Sequence, residues 1–151
     1  EPAPGARRTV AGIEIEGCTV PHAGDLHSLA WRVATPQCSV VYSGDTSPSH
    51  EAFSELGRGT DILIHESYTR AGLLRQMKTM PAERHEAVDR AFIETHSDIE
   101  QVATIARDTG VSTLILTHLL PLESPEDLRT AAEKQFSGEV VIAHDGLSLD
   151  V

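Results

Sequence analysis

The sequence predicts an α/β fold in which a mixed sheet is flanked by helices. The first part of the chain alternates apolar and polar residues, as half-buried antiparallel strands do. After about residue 46, short apolar runs alternate with helical stretches, which is typical of a layered α/β fold. At 151 residues the chain is long enough to bury a core, and we expect one domain, 1–151.

The segment TVAGIEIEGCTV predicts short strands joined by turns near Gly12 and Gly17. A loop, PHAGDLHS, follows it. The runs LAWRVAT and CSVVYS then predict a second antiparallel pair, joined by a turn at Pro36 and Gln37.

The later strands are predicted at Asp61–His65, Thr113–His118, Glu139–Ala143 and Leu147–Val151. The helices between them are predicted at Ser49–Leu56, Pro81–Glu94, Ser97–Thr109 and Ser124–Gln135. Ser97 and Glu100 have the spacing of a capping box, and Gly110 suits the left-handed residue that ends a helix. The segment from Tyr68 to Arg84 has the least pattern, and we expect a helical flap there.

Composition narrows the partners. The chain has 12 Lys and Arg against 23 Asp and Glu, a formal charge of -11, which argues against nucleic acid as a partner. No apolar stretch approaches the roughly 20 residues of a membrane-spanning helix, so no membrane role is expected. Cys18 and Cys38 are interpreted as reduced core residues. The first residues, EPAPGARR, lack the apolar region of a secretory signal, and a cytoplasmic location is expected.

Three histidines follow or close predicted strands: His22, His65 and His118. Asp45 occupies the same kind of position. Ligands in layered α/β folds bind beyond the carboxyl ends of the strands, and imidazole with carboxylate suits a divalent ion such as zinc. Taken singly, each residue has a simpler interpretation: a hydrogen-bonded histidine, or an aspartate in a turn or helix cap.

Two longer blocks of sequence favour the functional interpretation of these residues over the simpler one. The run VVYSGDTSPSHEAFSELGRGTDILIHES resembles the block of the metallo-β-lactamase superfamily in which a strand ends in Gly-Asp and the next in His-Glu. The run ETHSDIEQVATIARDTGVSTLILTHLLP resembles the next block, in which a strand ends in Thr-His. The match is nearest to the ribonuclease Z-like and arylsulfatase-like branch. The resemblance covers about Ile13 to Val151 and implies the C-terminal half of an αββα sandwich.

The resemblance implies a dinuclear metal site. In it, His22 completes the first metal site, Asp45 bridges both ions, and His118 is the last ligand of the second. Two divalent ions are expected, zinc first, with manganese and iron as alternatives. His27 is the rival for the place of His22, but His22 directly follows a predicted strand, whereas His27 is more simply a loop residue.

The resemblance also implies a general acid that protonates the leaving group. His96 matches the histidine near the scissile bond, and Glu66 matches the carboxylate that orients it. A histidine held by a carboxylate can protonate a leaving alkoxide near neutral pH, while metal ions activate the attacking water. The simpler interpretation of His96 is a neighbour of the helix cap at Ser97. His65 is expected to support the ligands through outer hydrogen bonds.

One family motif, His-x-His-x-Asp-His, is absent from the sequence, which leaves three potential ligands for two ions. Either an N-terminal half carrying the motif is missing from this chain, or the lineage lost it and serves as a non-catalytic scaffold or binding domain. Because Asp45, His96 and His118 are all retained, the missing half is favoured.

The resemblance implies a hydrolase of a small-molecule ester: a phosphodiester, a sulfate ester or a lactone. Short ribonucleases Z that process tRNA carry a long basic arm before the Gly-Asp block. Here Trp31 reaches Ser43 through residues 32–42 alone, which argues against a tRNA 3′-processing endonuclease. The expanded segment between Glu66 and His96 suits a lid or the surface of a homodimer.

Overall fold

A computed structural model describes residues 7–24 and 26–150, and only the backbone of His27. The described residues form one mixed sheet whose strands lie in chain order, with helices between them, so the predicted α/β class is confirmed. The strands are β1 (Arg7–Val10), β2 (Ile13–Pro21), β3 (His27–Ala34), β4 (Ser39–Tyr42), β5 (Ile62–Glu66), β6 (Thr113–Thr117) and β7 (Glu139–Ile142). The helices are α1 (His50–Leu56), α2 (Arg70–Met77), α3 (His85–Thr95), α4 (Ile99–Thr109) and α5 (Pro125–Ala132).

Strands β1 to β4 pair antiparallel, and β4 to β7 pair parallel. The turn between β1 and β2 is made by Ala11 and Gly12, both with positive φ (50° and 83°), as predicted for Gly12. The turn predicted near Gly17 is wrong. Gly17 lies inside β2 opposite Trp31, where a Cβ atom would approach the indole ring to 2.9 Å, so this glycine makes room for a side chain.

The main core lies on one face of the sheet. Because β4 to β7 follow one another in order, their right-handed crossovers place α1, α4 and α5 on the same side. The helices contribute Phe53, Leu56, Val102, Ile105 and Leu128, which pack against the strand residues Val41, Leu63, Leu114 and Val140. This burial holds the strand ends in fixed register.

The opposite face of the sheet is also apolar. Trp31, Val33, Tyr42 and Ile64 alternate with the core residues along their strands, and none of them belongs to the helix-covered core. Val33 and Tyr42 are 40% and 45% exposed. Within the described residues, the sheet thus has one face covered by helices and one apolar face that is partly open.

The segment of least pattern is helical, as expected. It contains α2 and a 3₁₀ turn at Ala82–Arg84, and the next helix, α3, begins at His85 rather than at the predicted Pro81. These helices share a second cluster, separate from the main core, formed by Tyr68, Leu73 and Met77 with Val88, Phe92 and Leu120.

The predicted start of α4 is wrong and its predicted end is right. The N-cap of α4 is Asp98, which forms the capping box with Gln101, whereas the Ser97 hydroxyl donates to Thr46 O. The expected left-handed residue at Gly110 is confirmed, with φ of 78°.

The last predicted strand, Leu147–Val151, is wrong for its described part. The chain turns so that Leu147 N donates to His144 O, and residues 147–150 pair with no strand among those described. Val151 lies outside the described residues. No helix in the described part of the chain has the length and apolar character to cross a membrane.

Candidate active site at the strand ends

The predicted site residues meet at one edge of the sheet. Strands β2, β4, β5 and β6 run in the same direction, so their carboxyl ends share that edge. His22 follows β2, Asp45 lies beyond β4, Glu66 closes β5 and His118 follows β6. His96 joins them from the C-terminal cap of α3. The structure brings all five together, although their roles remain predictions.

Glu66 is a buried carboxylate held by backbone donors. Its Oε1 atom accepts from Ser97 N at 3.0 Å and from Thr46 N at 3.3 Å. The same oxygen lies 3.4 Å from His96 Nδ1, and the side chains of Glu66 and His96 are only 2% and 19% exposed. A buried carboxylate is stable only with such partners, so these contacts fix its position.

The Glu66 carboxylate changes the acidity of His96. Hydrogen bonding to Glu66 raises the pKa of the His96 imidazole above its ordinary value, with the negative charges of Glu66 and Asp45 acting in the same direction. Partial burial opposes this rise in pKa but does not reverse it. His96 therefore keeps its proton to a higher pH than a free histidine, as a general acid requires.

Further hydrogen bonds join the loops around this pair. Ser97 Oγ donates to Thr46 O at 2.8 Å, and Glu66 N donates to Ser43 Oγ at 3.1 Å. Sequence reasoning missed Ser43, Thr46 and Ser97 as supporting residues. Their contacts join positions 20 to 51 residues apart in the chain, and no local pattern reports such pairs.

Gly44 explains why the chain can present Asp45 where it does. Its φ is 63°, and a Cβ atom there would lie 2.7 Å from Leu29 O. Only glycine combines the left-handed conformation with such close approach to a neighbouring strand. The backbone conformation thus requires the glycine of the Gly-Asp motif.

Asp45 and His118 form the open part of the site. Asp45 Oδ2 lies 3.7 Å from His118 Nε2, and the two side chains are 41% and 55% exposed. His118 has a φ of 51°, which is uncommon for a residue with a side chain and is typical of functional positions.

His22 is oriented by the end of α3. Its Nδ1 atom donates to Thr95 O at 2.8 Å, which leaves Nε2 free to act as a ligand. The rings of His22 and His118 each lie 5.6 Å from the ring of His96, so His96 neighbours both of them. The rival residue His27 is the first residue of β3, opposite Pro21, and not a loop residue.

The donor set fits part of a metal site. The nitrogen of His118 and the oxygen of Asp45 are ligands that zinc accepts, and they are close enough to share an ion. Among the described residues, however, no group of three His, Cys, Asp or Glu side chains could hold an ion. A closed site of the usual four-ligand kind thus needs further groups.

His65 is a core residue. It is fully buried against the ring of Phe53, and Nδ1 donates to Glu66 O at 2.6 Å. Burial lowers the pKa of its imidazole, which favours the neutral form. The hydrogen bond from His65 to Glu66 O supports the end of β5, where Glu66 lies.

Residues 1–119 match the family described as the beta-lactamase superfamily domain, and the chain belongs to that family. Among curated relatives, ribonuclease Z of Mycobacterium tuberculosis (strain H37Rv) is 28% identical over 137 residues, covering 89% of this chain and 47% of that protein. Ribonuclease Z of Haloarcula marismortui is 35% identical over 116 residues, which are 76% of this chain and 32% of that protein. The chain spans about half the length of the first of these relatives.

Solved structures share the fold. The metallo-β-lactamase fold protein YhfI of Bacillus subtilis superposes with a TM-score of 0.75 at 26% identity, covering 96% of this chain and 52% of that one. The short form of human tRNase Z gives 0.62 at 19% identity, with 95% and 46% covered. A diphosphatase of the PhnP family gives 0.64 at 21% identity, with 99% and 47% covered. The predicted family is confirmed.

Proposed function

We propose that the intact protein is a metal-dependent phosphodiester hydrolase, in which this chain supplies the leaving-group acid and part of the metal site. The observation that carries the proposal is the Glu66–His96 pair, in which Glu66 is buried and the half-buried His96 ring lies 5.6 Å from the ring of His118 at the shared strand edge. A histidine of raised pKa beside metal-type donors suits the cleavage of an ester bond.

In this proposal Asp45, His118 and His22 hold two divalent ions, with zinc preferred and manganese and iron as alternatives. When bound, the ions would activate the attacking water and neutralise charge on the phosphoryl group. His96 has Nδ1 against the Glu66 carboxylate, so Nε2 is the atom that gives its proton to the leaving oxygen. Glu66 keeps that imidazole oriented and charged.

The remaining ligands are proposed to come from an N-terminal half that carries the His-x-His-x-Asp-His motif. Three observations support this: the open Asp45–His118 pair, the partly exposed apolar face of the sheet, and relatives about twice as long as this chain. A non-catalytic scaffold is the alternative. It is disfavoured because a scaffold has no need of a buried carboxylate beneath His96.

The substrate class has two candidates. A small phosphodiester agrees with the charge of -11 and with the tight connection of β3 to β4 by residues 35–38, where no arm is inserted. Cleavage of tRNA at its 3′ end is favoured by the relatives named ribonuclease Z, so the sequence-based preference against it is not upheld by the comparisons. Sulfate esters and lactones rank behind both, because the named activities of the relatives and the diphosphatase concern phosphorus.

The test uses the intact protein with Zn(II) or Mn(II). Bis(p-nitrophenyl) phosphate, a 3′-extended tRNA, a nitrophenyl sulfate and a lactone are compared, with and without a chelator. We expect metal-dependent cleavage of at least one phosphodiester, and the ratio of the first two activities separates the two substrate classes. Absence of any metal-dependent phosphodiester cleavage would reject the proposal.

A further inference from the structure

The loop that carries His118, residues 118–124, is attached to α2 through a side chain that the proposed chemistry does not use. Glu123 Oε1 accepts from Thr69 N, and Oε2 accepts from Thr69 Oγ1, both at 2.8 Å. Thr69 is buried and Glu123 half-buried. Because one carboxylate accepts two hydrogen bonds from one residue, both partners are fixed, and we name this arrangement the Glu123–Thr69 clasp.

The N-terminus of α2 accommodates the Glu123 carboxylate. Thr69 is the N-cap of α2, and its Oγ1 accepts from Gly72 N at 2.8 Å. A carboxylate beside a helix N-terminus is stabilised by the backbone dipoles. Gly72 leaves room for the carboxylate, because a Cβ atom there would lie 2.2 Å from Glu123 Oε1.

The same loop contacts α2 at two more points. Leu120 packs in the second cluster, and Arg75 Nη2 donates to Leu122 O at 3.3 Å. His118, at the start of the loop, has the unfavourable φ of 51°, which persists only where surrounding contacts impose it. The contacts with α2 are therefore placed to hold the loop in this conformation.

Thr69 is also connected to Glu66 and His96, through the backbone of the neighbouring residue. The preceding residue, Tyr68, pairs with the His96 loop: Tyr68 N donates to Ser97 O at 3.2 Å, and Ile99 N donates to Tyr68 O at 2.9 Å. Glu66 lies three residues before Thr69. A connected path thus runs from Glu123 through Thr69 to both Glu66 and His96.

We propose that Glu123 is a positioning residue, which through the Glu123–Thr69 clasp holds His118 in place beside Asp45 and His96. The inference rests on the proposed role of His118 as a metal ligand. Glu123 itself touches neither substrate nor metal. By fixing residue 123, near the end of the 118–124 loop, it limits the conformations open to that loop and hence where the His118 imidazole lies relative to Glu66 and His96.

The experiment measures Zn(II) affinity of the intact protein by competition with a chromophoric chelator, together with the absorption spectrum of the Co(II) form. Glu123→Ala removes both hydrogen bonds of the clasp and Thr69→Val removes the one from Oγ1, whereas Thr69→Ser keeps the hydroxyl. Glu126→Gln removes an exposed charge in the first turn of α5 and serves as the control. We expect the first two variants to weaken Zn(II) binding by about 10- to 100-fold and to alter the Co(II) spectrum. Thr69→Ser and Glu126→Gln should match the wild type.

A lower melting temperature with unchanged Zn(II) affinity and Co(II) spectrum would show a merely structural role and overturn the inference. If Glu123→Ala fails to fold, the comparison of Thr69→Val with Thr69→Ser decides the matter alone. A wild type that binds Zn(II) and cleaves phosphodiesters, with both clasp variants equal to it, would reject only the positioning role. A wild type that binds no Zn(II) would reject the proposed function as well.

Discussion

The two polar pairs at the strand ends differ in how far this chain completes them. Glu66 is buried and His96 half-buried, and the carboxylate accepts from two backbone donors. Asp45 and His118 stand open at 41% and 55% exposure, 3.7 Å apart. The pair proposed to donate the proton is therefore organised by contacts within this chain, whereas the pair proposed to face the metal needs further groups to close a site.

The largest expected loss of activity comes from removing His96, the proposed acid. In the intact protein, His96→Ala should lower kcat/KM for a phosphodiester with an alkyl leaving group by about 10²- to 10⁴-fold, because the leaving oxygen then departs without a proton. The loss should be much smaller for a nitrophenyl leaving group, which is stable as an anion. Steady-state rates over a series of leaving groups measure this.

His50→Ala is the matched control for that experiment, because His50 is exposed on α1, where it contacts Asp108. Its rates should equal those of the wild type. Equal losses for alkyl and nitrophenyl substrates in His96→Ala would contradict the acid role.

The next effect concerns pH. The Glu66 carboxylate raises the pKa of His96, so in Glu66→Gln that pKa should fall toward its ordinary value. Since the acid must be protonated, the basic limb of the kcat profile should move to lower pH. Above the limb, each unit by which the pKa falls lowers the protonated fraction about tenfold. A basic limb that stays in place would show that Glu66 does not act through His96.

The two pairs should also differ in what they contribute to folding. Glu66→Ala removes the acceptor of two backbone donors at a buried site, and should lower the free energy of unfolding of the metal-free protein by about 1–3 kcal/mol. Asp45→Ala changes an open side chain, and should stay within about 0.5 kcal/mol. Denaturant unfolding checks both, and equal losses would remove the distinction between the pairs.

The smallest effect is expected at His65. Burial lowers its pKa in the folded protein, so below its ordinary value of about 6.5 the unfolded chain binds more protons than the folded one. The contribution of His65 should therefore be a fall in stability as the pH drops from 7 to 5, whereas the raised pKa of His96 acts in the opposite direction in both proteins compared. In His65→Asn, whose amide can still donate to Glu66 O, that fall should be smaller. Identical slopes in the two proteins would show that His65 does not contribute.

The sequence predicted which residues lie at the carboxyl ends of the strands better than it predicted the hydrogen bonds that support them. Asp45 and His118 follow apolar runs, and the direction of those runs sufficed to place them together. Glu66 was predicted from the resemblance, but its contacts with Thr46 and Ser97 were not, because they join distant segments.

The errors in the fold have physical reasons of the same kind. The Leu147–Val151 run has strand-like composition, but a strand forms only where it pairs with a neighbouring strand. The described part of this run does not pair, because the chain turns at residues 144–147. Helix α2 contains Gly72, a poor helix former, and its N-cap residue Thr69 is held by Glu123, 54 residues further along the chain. Neither fact is visible in a local window of sequence.

Metal content tests the central claim most directly, because the claim is that Asp45 belongs to an incomplete metal-facing pair of this chain. The intact protein, purified with Zn(II), should hold two ions per chain, and Asp45→Ala should hold fewer than two, with His85→Ala as a histidine control distant from the site. Elemental analysis after dialysis measures this. Two ions retained in Asp45→Ala would contradict the account.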